Sequence, residues 1–365
     1  MINKVANIDT VNILIDIENY EESSKEVLKQ LQKQKEIAIL RSSCNPEYKH
    51  IVYINDMTFH LFSVGRIGYA YILQNSDYQI YVAQYRSKQK NFSPIQLRIS
   101  SECLWSDGIT NAWGKIYNWL VETFGNIIGD KVCRLDLCCH VDNVDFITNC
   151  SQIYKGKFKE YNFNYKNSTI NQISFGSRKS NNIYCRIYNK SLEIREKKQK
   201  LWFYDIWSSN GMNIENVWNI EFELKSEFLR SANITTVFDV ISRLKDLWSY
   251  CTTIWLLKVD RTNKRIERCP INSDWLELQS SYNEFYSKGL ITRNKQVSND
   301  AKTLIPIIVG YISSYAAKRK RKNLDDTFSI MSLDIKSYLR FKNSTFEKIV
   351  DEKKSLLFSD NAHQK

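Results

Sequence analysis

The stretch Val132-Cys-Arg-Leu-Asp-Leu-Cys-Cys-His-Val141 places Cys133, Leu135, Leu137, Cys139 and Val141 at alternate positions, with Arg134, Asp136, Cys138 and His140 between them. Successive side chains of a strand point to opposite faces. The period of two therefore predicts a strand with one core face and one chemically equipped face. Two later stretches repeat the pattern. In Ile183–Lys190, Ile183, Cys185 and Ile187 oppose Tyr184, Arg186, Tyr188 and Lys190. In Val217–Lys225, Trp218, Ile220, Phe222 and Leu224 oppose Asn219, Glu221, Glu223 and Lys225. Three strands of this kind predict an antiparallel sheet with one apolar and one polar face.

Upstream, short runs rich in β-branched and aromatic residues predict further strands at Val11–Ile17, Ile51–Ile54, Thr58–Val64, Ala70–Leu73, Tyr78–Ala83 and Ile95–Ile99. Asn75-Ser76-Asp77 reads as a hairpin turn, and Ser24–Lys35 as a polar surface helix capped by Ser24. Trp113, Ile116, Tyr117, Leu120, Val121 and Phe124 form a helical stripe ending at Gly125. Helices are also expected at Thr235–Trp248, Trp275–Tyr286, Asp300–Lys318 and Asp334–Phe341, with Pro306 kinking the third of these or marking its start. No internal repeat is visible. The fold class is α+β: an antiparallel sheet with packed helices, followed by a helical basic C-terminal region. The expected divisions are 1–130, strand-rich; 131–270, the sheet with the chemical face; and 271–365, helical and basic.

Composition narrows the functional classes. The chain has 365 residues, 43% of them hydrophobic, and a net charge of +12, enough for a proper core and suited to a polyanionic partner. From Ala301 to Lys365 there are 13 Lys/Arg against 7 Asp/Glu, including the run Lys318, Arg319, Lys320, Arg321 and Lys322. The nine cysteines are odd in number and include no Cys-x-x-Cys pair, which argues against a disulfide framework or a standard zinc site. Cys138 and Cys139 are adjacent on a strand and point opposite ways. The first 20 residues lack a signal-peptide layout, and the apolar run Leu304–Ile312 is far short of a membrane span. A cytoplasmic protein without a membrane role is expected.

If the three strands are neighbours, one face gathers Asp136, His140, Glu221 and Glu223 beside Arg186 and Tyr188. Carboxylates with one imidazole make a hard donor set suited to Mg²⁺ or Mn²⁺. A tyrosine beside such a cation is a candidate nucleophile, and the cation would polarise a phosphodiester.

At these segments the sequence resembles the replication initiation factor family, the rolling-circle initiators of small Gram-positive plasmids with related conjugative-element relaxases. The matching stretches are Arg134-Leu-Asp-Leu137, Phe175-Gly-Ser-Arg-Lys-Ser180 running into Arg186-Ile-Tyr-Asn-Lys190, and Trp218-Asn-Ile-Glu-Phe-Glu-Leu-Lys225. The resemblance covers roughly residues 130–230. It implies that Tyr188 is the nicking nucleophile, that Asp136 carries the metal, and that Glu221 or Glu223 does so with it. The sequence departs from the pattern at His140, where an acid is expected, and it lacks a His-hydrophobic-His triplet. The third ligand is therefore left open.

The implied reaction is metal-dependent, site-specific DNA nicking and strand transfer through a 5′-phosphotyrosine, with Arg186 steadying charge on the phosphate. Arg178, Lys179 and Lys190, beside Gly176, are expected at the DNA backbone, and Lys318–Lys322 on duplex DNA. No Walker-type glycine loop is present, so a host helicase and a host DNA polymerase are implied as partners. Origin DNA, whether duplex, single-stranded or cruciform, is the implied substrate, and a homodimer is compatible with this reading. A relaxase at a transfer origin would share the chemistry, whereas a non-catalytic DNA-binding protein would share only the fold.

Overall fold

The computed structural model describes residues 2–358 apart from 46, 88–91, 143, 145, 147–152, 167, 180–181 and 292–304. It forms two compact units, Met1–Asn294 and Lys295–Lys365. The first unit opens with β1 (Lys4–Ile17), α1 (Tyr20–Ser23) and α2 (Lys25–Cys44). A meander follows: β2 (His50–Ile54), β3 (Met57–Leu61), β4 (Tyr71–Gln74), β5 (Tyr78–Val82) and β6 (Ile95–Ile99), ending in α3 (Ser101–Phe124). The second half begins with β7 (Ile127–Val141), then β8 (Tyr154–Gly156), β9 (Tyr161–Lys166), β10 (Thr169–Phe175) and β11 (Ile183–Asn189). α4 (Lys190–Lys197) and α5 (Phe203–Ser209) lead into β12 (Trp218–Lys225). α6 (Ser226–Ser231), α7 (Val237–Ile241), α8 (Leu244–Tyr250), β13 (Leu256–Lys258) and α9 (Ser273–Gln279) close the unit.

Eleven strands form one antiparallel sheet in the order β2-β3-β4-β5-β6-β1-β7-β12-β11-β10-β9. Each half follows one plan: a long first strand, then a meander whose last strand returns to pair with it, β6 on β1 and β12 on β7. The two long strands pair with each other and fuse the halves. This repeat is one of topology, and no matching residues announce it in the sequence. All three strands carrying the chemical face occur as expected. The β9–β10 hairpin and the Lys4–Thr10 half of β1 are additional.

One face of the sheet is core. In the first half Tyr78 donates to the carbonyl of Ala112 (3.0 Å), and Trp119 packs on Phe59 while donating to Ile54 O (3.0 Å). In the second half Phe222 meets Trp248 edge-on, and Trp248 donates to Leu278 O (3.1 Å). Gly108 divides α3 in two. Its φ of 71° breaks the helix into two differently directed pieces, a conformation that glycine adopts at little cost. The turn at Asn75 forms as expected, with its Oδ1 accepting from the amides of Asp77 and Tyr78.

Several expectations are corrected. The unit boundary falls at Asn294 and not at 270, because Trp275, Leu278 and Tyr282 are buried in the sheet's core. No boundary exists at 130 either, since β7 runs through it and pairs with β1. Ser24 does not cap α2; its hydroxyl donates to Phe124 O (3.2 Å). Thr235–Trp248 is two short helices, the first closed by a Thr236–Asp239 capping box. The Trp275–Tyr286 helix ends at Gln279 and tightens to a 3₁₀ turn. All eight cysteines among the described residues are free.

In the second unit, α10 (Ile305–Lys318) places Pro306 in its first turn, where a missing N–H costs nothing; residues 300–304 of the expected helix lie outside the described residues. α11 (Leu324–Phe341) and α12 (Phe346–Phe358) complete it. Among the described residues, no helix is long and apolar enough to cross a membrane.

β1 and β7 do not pair evenly. Register slips between Ile8 and Thr10, so that an extra residue, Asp9, bulges from β1. Beside it the amide of Cys138 donates to Tyr282 Oη (3.2 Å), and that hydroxyl bonds the carbonyls of Asn7 and Cys138. One side chain thus satisfies backbone groups in a buried ladder. Tyr282→Phe is expected to lower unfolding free energy by about 1–3 kcal/mol, the usual cost of stranding buried polar groups. Urea denaturation of the whole chain measures it, and an unchanged midpoint would contradict the role.

Candidate active site

The second sheet face presents its side chains in cross-strand rows. His140, Asn219, Tyr188 and Gln172 form one row over β7, β12, β11 and β10; Cys138, Glu221, Arg186 and Ser174 form the next. Asp136, Glu223 and Tyr184 follow, then Arg134 and Lys225. The tyrosine hydroxyl sits where three of these groups converge. Tyr188 Oη donates to Glu221 Oε2 (3.1 Å) and accepts from Asn219 Nδ2 (2.9 Å) and Lys190 Nζ (3.2 Å). Arg186 pairs with Glu221, and its guanidinium lies 5.3 Å from the centre of the Tyr188 ring.

Tyr188 lines a cavity of about 190 Å³ together with Asp9, Arg186, Lys190, Lys200 and Glu221. Asp9 was not anticipated from the sequence. The bulge turns it onto this face, where its Oδ1 accepts from Ser101 Oγ (2.7 Å) and Lys200 Nζ (3.1 Å). Burial alone would raise its pKa, but Lys200, Lys190 and the Ser101 hydroxyl outweigh that and hold the carboxyl well below its usual range. A signal was present. Val11, Ile13, Ile15 and Ile17 alternate, but the next apolar residue upstream is Ile8, one residue out of step. A slip of this kind in an otherwise regular strand marks a bulge.

Burial pushes the Tyr188 phenol well above its ordinary range; Glu221 and Glu193 add to this and Arg186 opposes it. At neutral pH the group is a phenol, and its proton lies on the path to Glu221. Loss of that proton would leave an oxygen still held by Lys190 and Asn219.

The expected donor set of Asp136, Glu221, Glu223 and His140 is not assembled. Arg134 grips Asp136 at both oxygens (2.8 and 2.6 Å) and also reaches Glu223 (3.0 Å). Glu223 further accepts from Arg178 Nε (2.8 Å). Burial raises Asp136 to about 7, with Glu221 adding and Arg134 opposing. His140 is fully buried, stacked on Trp105 and edge-on to Phe203. Its Nδ1 accepts from Trp207 Nε1 (3.0 Å), and burial lowers its pKa well below the ordinary value. The neutral ring therefore carries its proton on Nε2, leaving no lone pair for a cation. Metal-bound histidines show the reverse, donating from the second nitrogen.

Among the described residues, no three His, Cys, Asp or Glu side chains form a group able to hold a metal ion. Two hard carboxylates, Asp9 and Glu221, nevertheless line the cavity with Tyr188. Both are paired in turn, Asp9 with Lys200 and Glu221 with Arg186.

The expected DNA-contacting residues divide. Lys190 is buried and bonded to Tyr188 and Glu193 (2.7 Å), so it belongs to the cavity and not to an outer surface. Arg178 and Lys179 are exposed on the loop after β10, where Gly176 takes a φ of 78°; Ser180 of that motif lies outside the described residues. Tyr184, the neighbouring tyrosine of β11, stands one row from Tyr188's nearest partners and lies under the Arg178 guanidinium (5.7 Å). In the second unit, Lys318, Arg319, Lys320, Arg321 and Lys322 are all exposed. Lys320 closes α10 at φ 55°, with Arg321 N donating to Ala316 O (2.9 Å), and Arg319 pairs with Asp334.

No family model matches this chain, and no curated protein matches it. Among solved structures, it is similar to a rolling circle replication initiator protein from Geobacillus stearothermophilus, at 14% identity over 79% of this chain and 99% of that chain, with a TM-score of 0.47.

Proposed function

We propose that this chain is a tyrosine strand transferase of the replication initiation factor kind, nicking one DNA strand to start rolling-circle replication of a plasmid or mobile element. The observation that carries the reading is the Tyr188 hydroxyl, held by Glu221, Asn219 and Lys190 in a cavity walled by further cations. Tyr188 Oη attacks the scissile phosphorus and passes its proton to Glu221 Oε2. The bond to the 3′ oxygen breaks, the 5′ phosphate stays on the tyrosine, and the freed 3′ end primes host polymerase. Arg186 and Lys200 face the charge that builds on the phosphate. A divalent cation would have to draw Asp9 and Glu221 Oε1 from Lys200 and Arg186 to be held there, and would supply Lewis-acid polarisation of the phosphodiester. A relaxase acting at a transfer origin would use the same groups. Origin DNA, a host helicase and a host polymerase are the partners this reading needs.

The test is covalent capture. Wild type is incubated with a random-sequence pool of single-stranded DNA and Mg²⁺, then denatured, and the adduct peptide is identified by mass spectrometry. DNA is expected on Tyr188, and Tyr188→Phe is expected to form no adduct while binding DNA within a few-fold of wild type. An adduct on Tyr184, or undiminished capture by the variant, would refute the assignment.

The cation requirement is checked separately. Chelator is expected to stop capture and Mg²⁺ or Mn²⁺ to restore it. Glu221→Gln should lower activity at least about a hundredfold, the lower end for loss of one acid–base group, and Asp9→Asn should lower it as well. His140→Phe, which keeps the aromatic packing, should retain most of it. Full capture in excess chelator would remove the cation from the reaction.

Duplex binding is expected to draw on the exposed run Lys318–Lys322. Each phosphate contact contributes a slope of about −0.9 to log K against log salt. Replacing the run with Ser and Gln should flatten the slope by about two or three such contacts. A salt titration with an unchanged slope would show that the run does not touch DNA.

A further inference from the structure

A second cavity, of about 260 Å³, adjoins the first and takes no part in the chemistry above. Gln74, Asn75, Gln79, Arg98, Glu102, Lys200 and Trp202 are among the residues that line it. Lys200 belongs to both cavities, and the partition between them is the bonded set Ser101–Asp9–Lys200. Anything anchored at Tyr188 can therefore extend into the second cavity across a polar wall. The loop between α4 and α5 supplies the shared lysine and the tryptophan, with Lys200 itself at φ 57°.

Register explains why the far wall is polar. Gln74, Gln79, Arg98, Asn12, Arg134 and Lys225 are successive cross-strand partners over β4, β5, β6, β1, β7 and β12. Of the three cations in this row, Arg134 is held by Asp136 and Glu223 and Lys225 by the Arg178 carbonyl, which leaves the exposed Arg98 available to a strand on the face that holds Tyr188.

The hydrogen-bonding capacity left over is two donors and one carboxylate. Gln79 is spent, its amide donating to Gln74 Oε1 (3.1 Å) and its carbonyl accepting from Tyr81 (2.8 Å). Asn75 is spent on its own turn. Among the described residues of the lining, the exposed Arg98 guanidinium and Gln74 amide nitrogen have no partner and only donate, while the exposed Glu102 carboxylate, also without a partner, only accepts. Trp202 is half-buried, braced by stacking on Phe203 at 3.8 Å between ring centres, and lines the cavity. An aromatic platform beside cations and free donors suits an unpaired nucleobase. Donors beside one carboxylate suit guanine, whose O6 and N7 are adjacent acceptors matched by arginine and whose amino group donates. The volume is below that of pockets for larger ligands, about 300 Å³ and above.

We propose that this cavity receives one unpaired guanine of the strand whose phosphate lies at Tyr188, stacked on Trp202 with its acceptor edge toward Arg98 and Gln74. The proposal rests on the nicking reading for the identity of the strand. It adds base selection at one position beside the nick, made within the sheet domain and independent of the basic C-terminal run.

The experiment sequences the strands captured on Tyr188 from the random single-stranded pool by wild type, Arg98→Gln, Trp202→Ala and Trp202→Phe. Wild type should enrich guanine at one position adjoining the attached phosphate. Arg98→Gln should level the four bases there while still forming the Tyr188 adduct. Trp202→Ala should lower capture at subsaturating DNA by about tenfold, the scale of one lost base–aromatic stack, and Trp202→Phe should restore most of it, separating stacking from damage to the fold. Base frequencies and yields equal to wild type in both Arg98→Gln and Trp202→Ala would overturn the proposal. If no variant forms an adduct, the nicking reading fails by itself. Fluorescence anisotropy with dT15 and with the same oligonucleotide carrying one central dG then decides the cavity: tighter binding of the dG strand that Arg98→Gln abolishes supports it, and equal binding overturns it.

Discussion

The chemical face of this sheet depends on the antiparallel pairing of β1 with β7 and on the bulge at Asp9, the first of three register shifts along that pairing. The pairing joins two meanders of similar plan into a single surface. Without the bulge, side chains on β1 would continue their alternation and Asp9 would be directed away from Tyr188. With it, a carboxylate kept ionised by Lys200 and Lys190 stands in the wall of the nucleophile's cavity. Tyr282 compensates by bonding the backbone groups that the slip leaves over, so a residue of the α9 turn supports the geometry of the site.

A second constraint is charge balance. Four carboxylates stand on or beside this face, and each has a cationic partner: Asp136 and Glu223 share Arg134, Glu221 has Arg186, and Asp9 has Lys200. Buried carboxylates without such partners would take up protons. The pairing also sorts them. Asp136 and Glu223 are fixed by guanidinium forks and shape the sheet, while Glu221 and Asp9 remain in the cavity wall. Residues with the same side-chain chemistry thus take different roles according to which arginine or lysine reaches them.

His140 illustrates how the aromatic cluster behind the site acts. Trp105, Phe203 and Trp207 enclose the imidazole and fix its tautomer through Nδ1. Phe203 is also the brace for Trp202, so the packing that neutralises His140 is the packing that presents the stacking platform to the neighbouring cavity.

Much was legible in the sequence because strands report themselves by alternation. Val132–Val141, Ile183–Lys190 and Val217–Lys225 each specify their two faces, and from these follow the shared face of Asp136, Tyr188, Glu221 and Arg186 and the α+β class. The helix ending at Gly125 and the turn at Asn75 were equally local, set by a stripe of apolar residues and by an Asn side chain. What the sequence could not determine was partner choice across the sheet. Whether Glu221 or Glu223 faces Tyr188 depends on the β11–β12 register, which places Tyr188 opposite Asn219 and one row from Glu221. Lys190 reads as a surface cation until the turn into α4 folds it back onto the phenol. Asp9 lies more than a hundred residues from the motif it joins, and only the long β1–β7 pairing brings it there. Alternation along one strand is a local steric property that the chain carries in its residues. The distance between groups on different strands is fixed by register, and register is decided by the tertiary packing of the whole sheet.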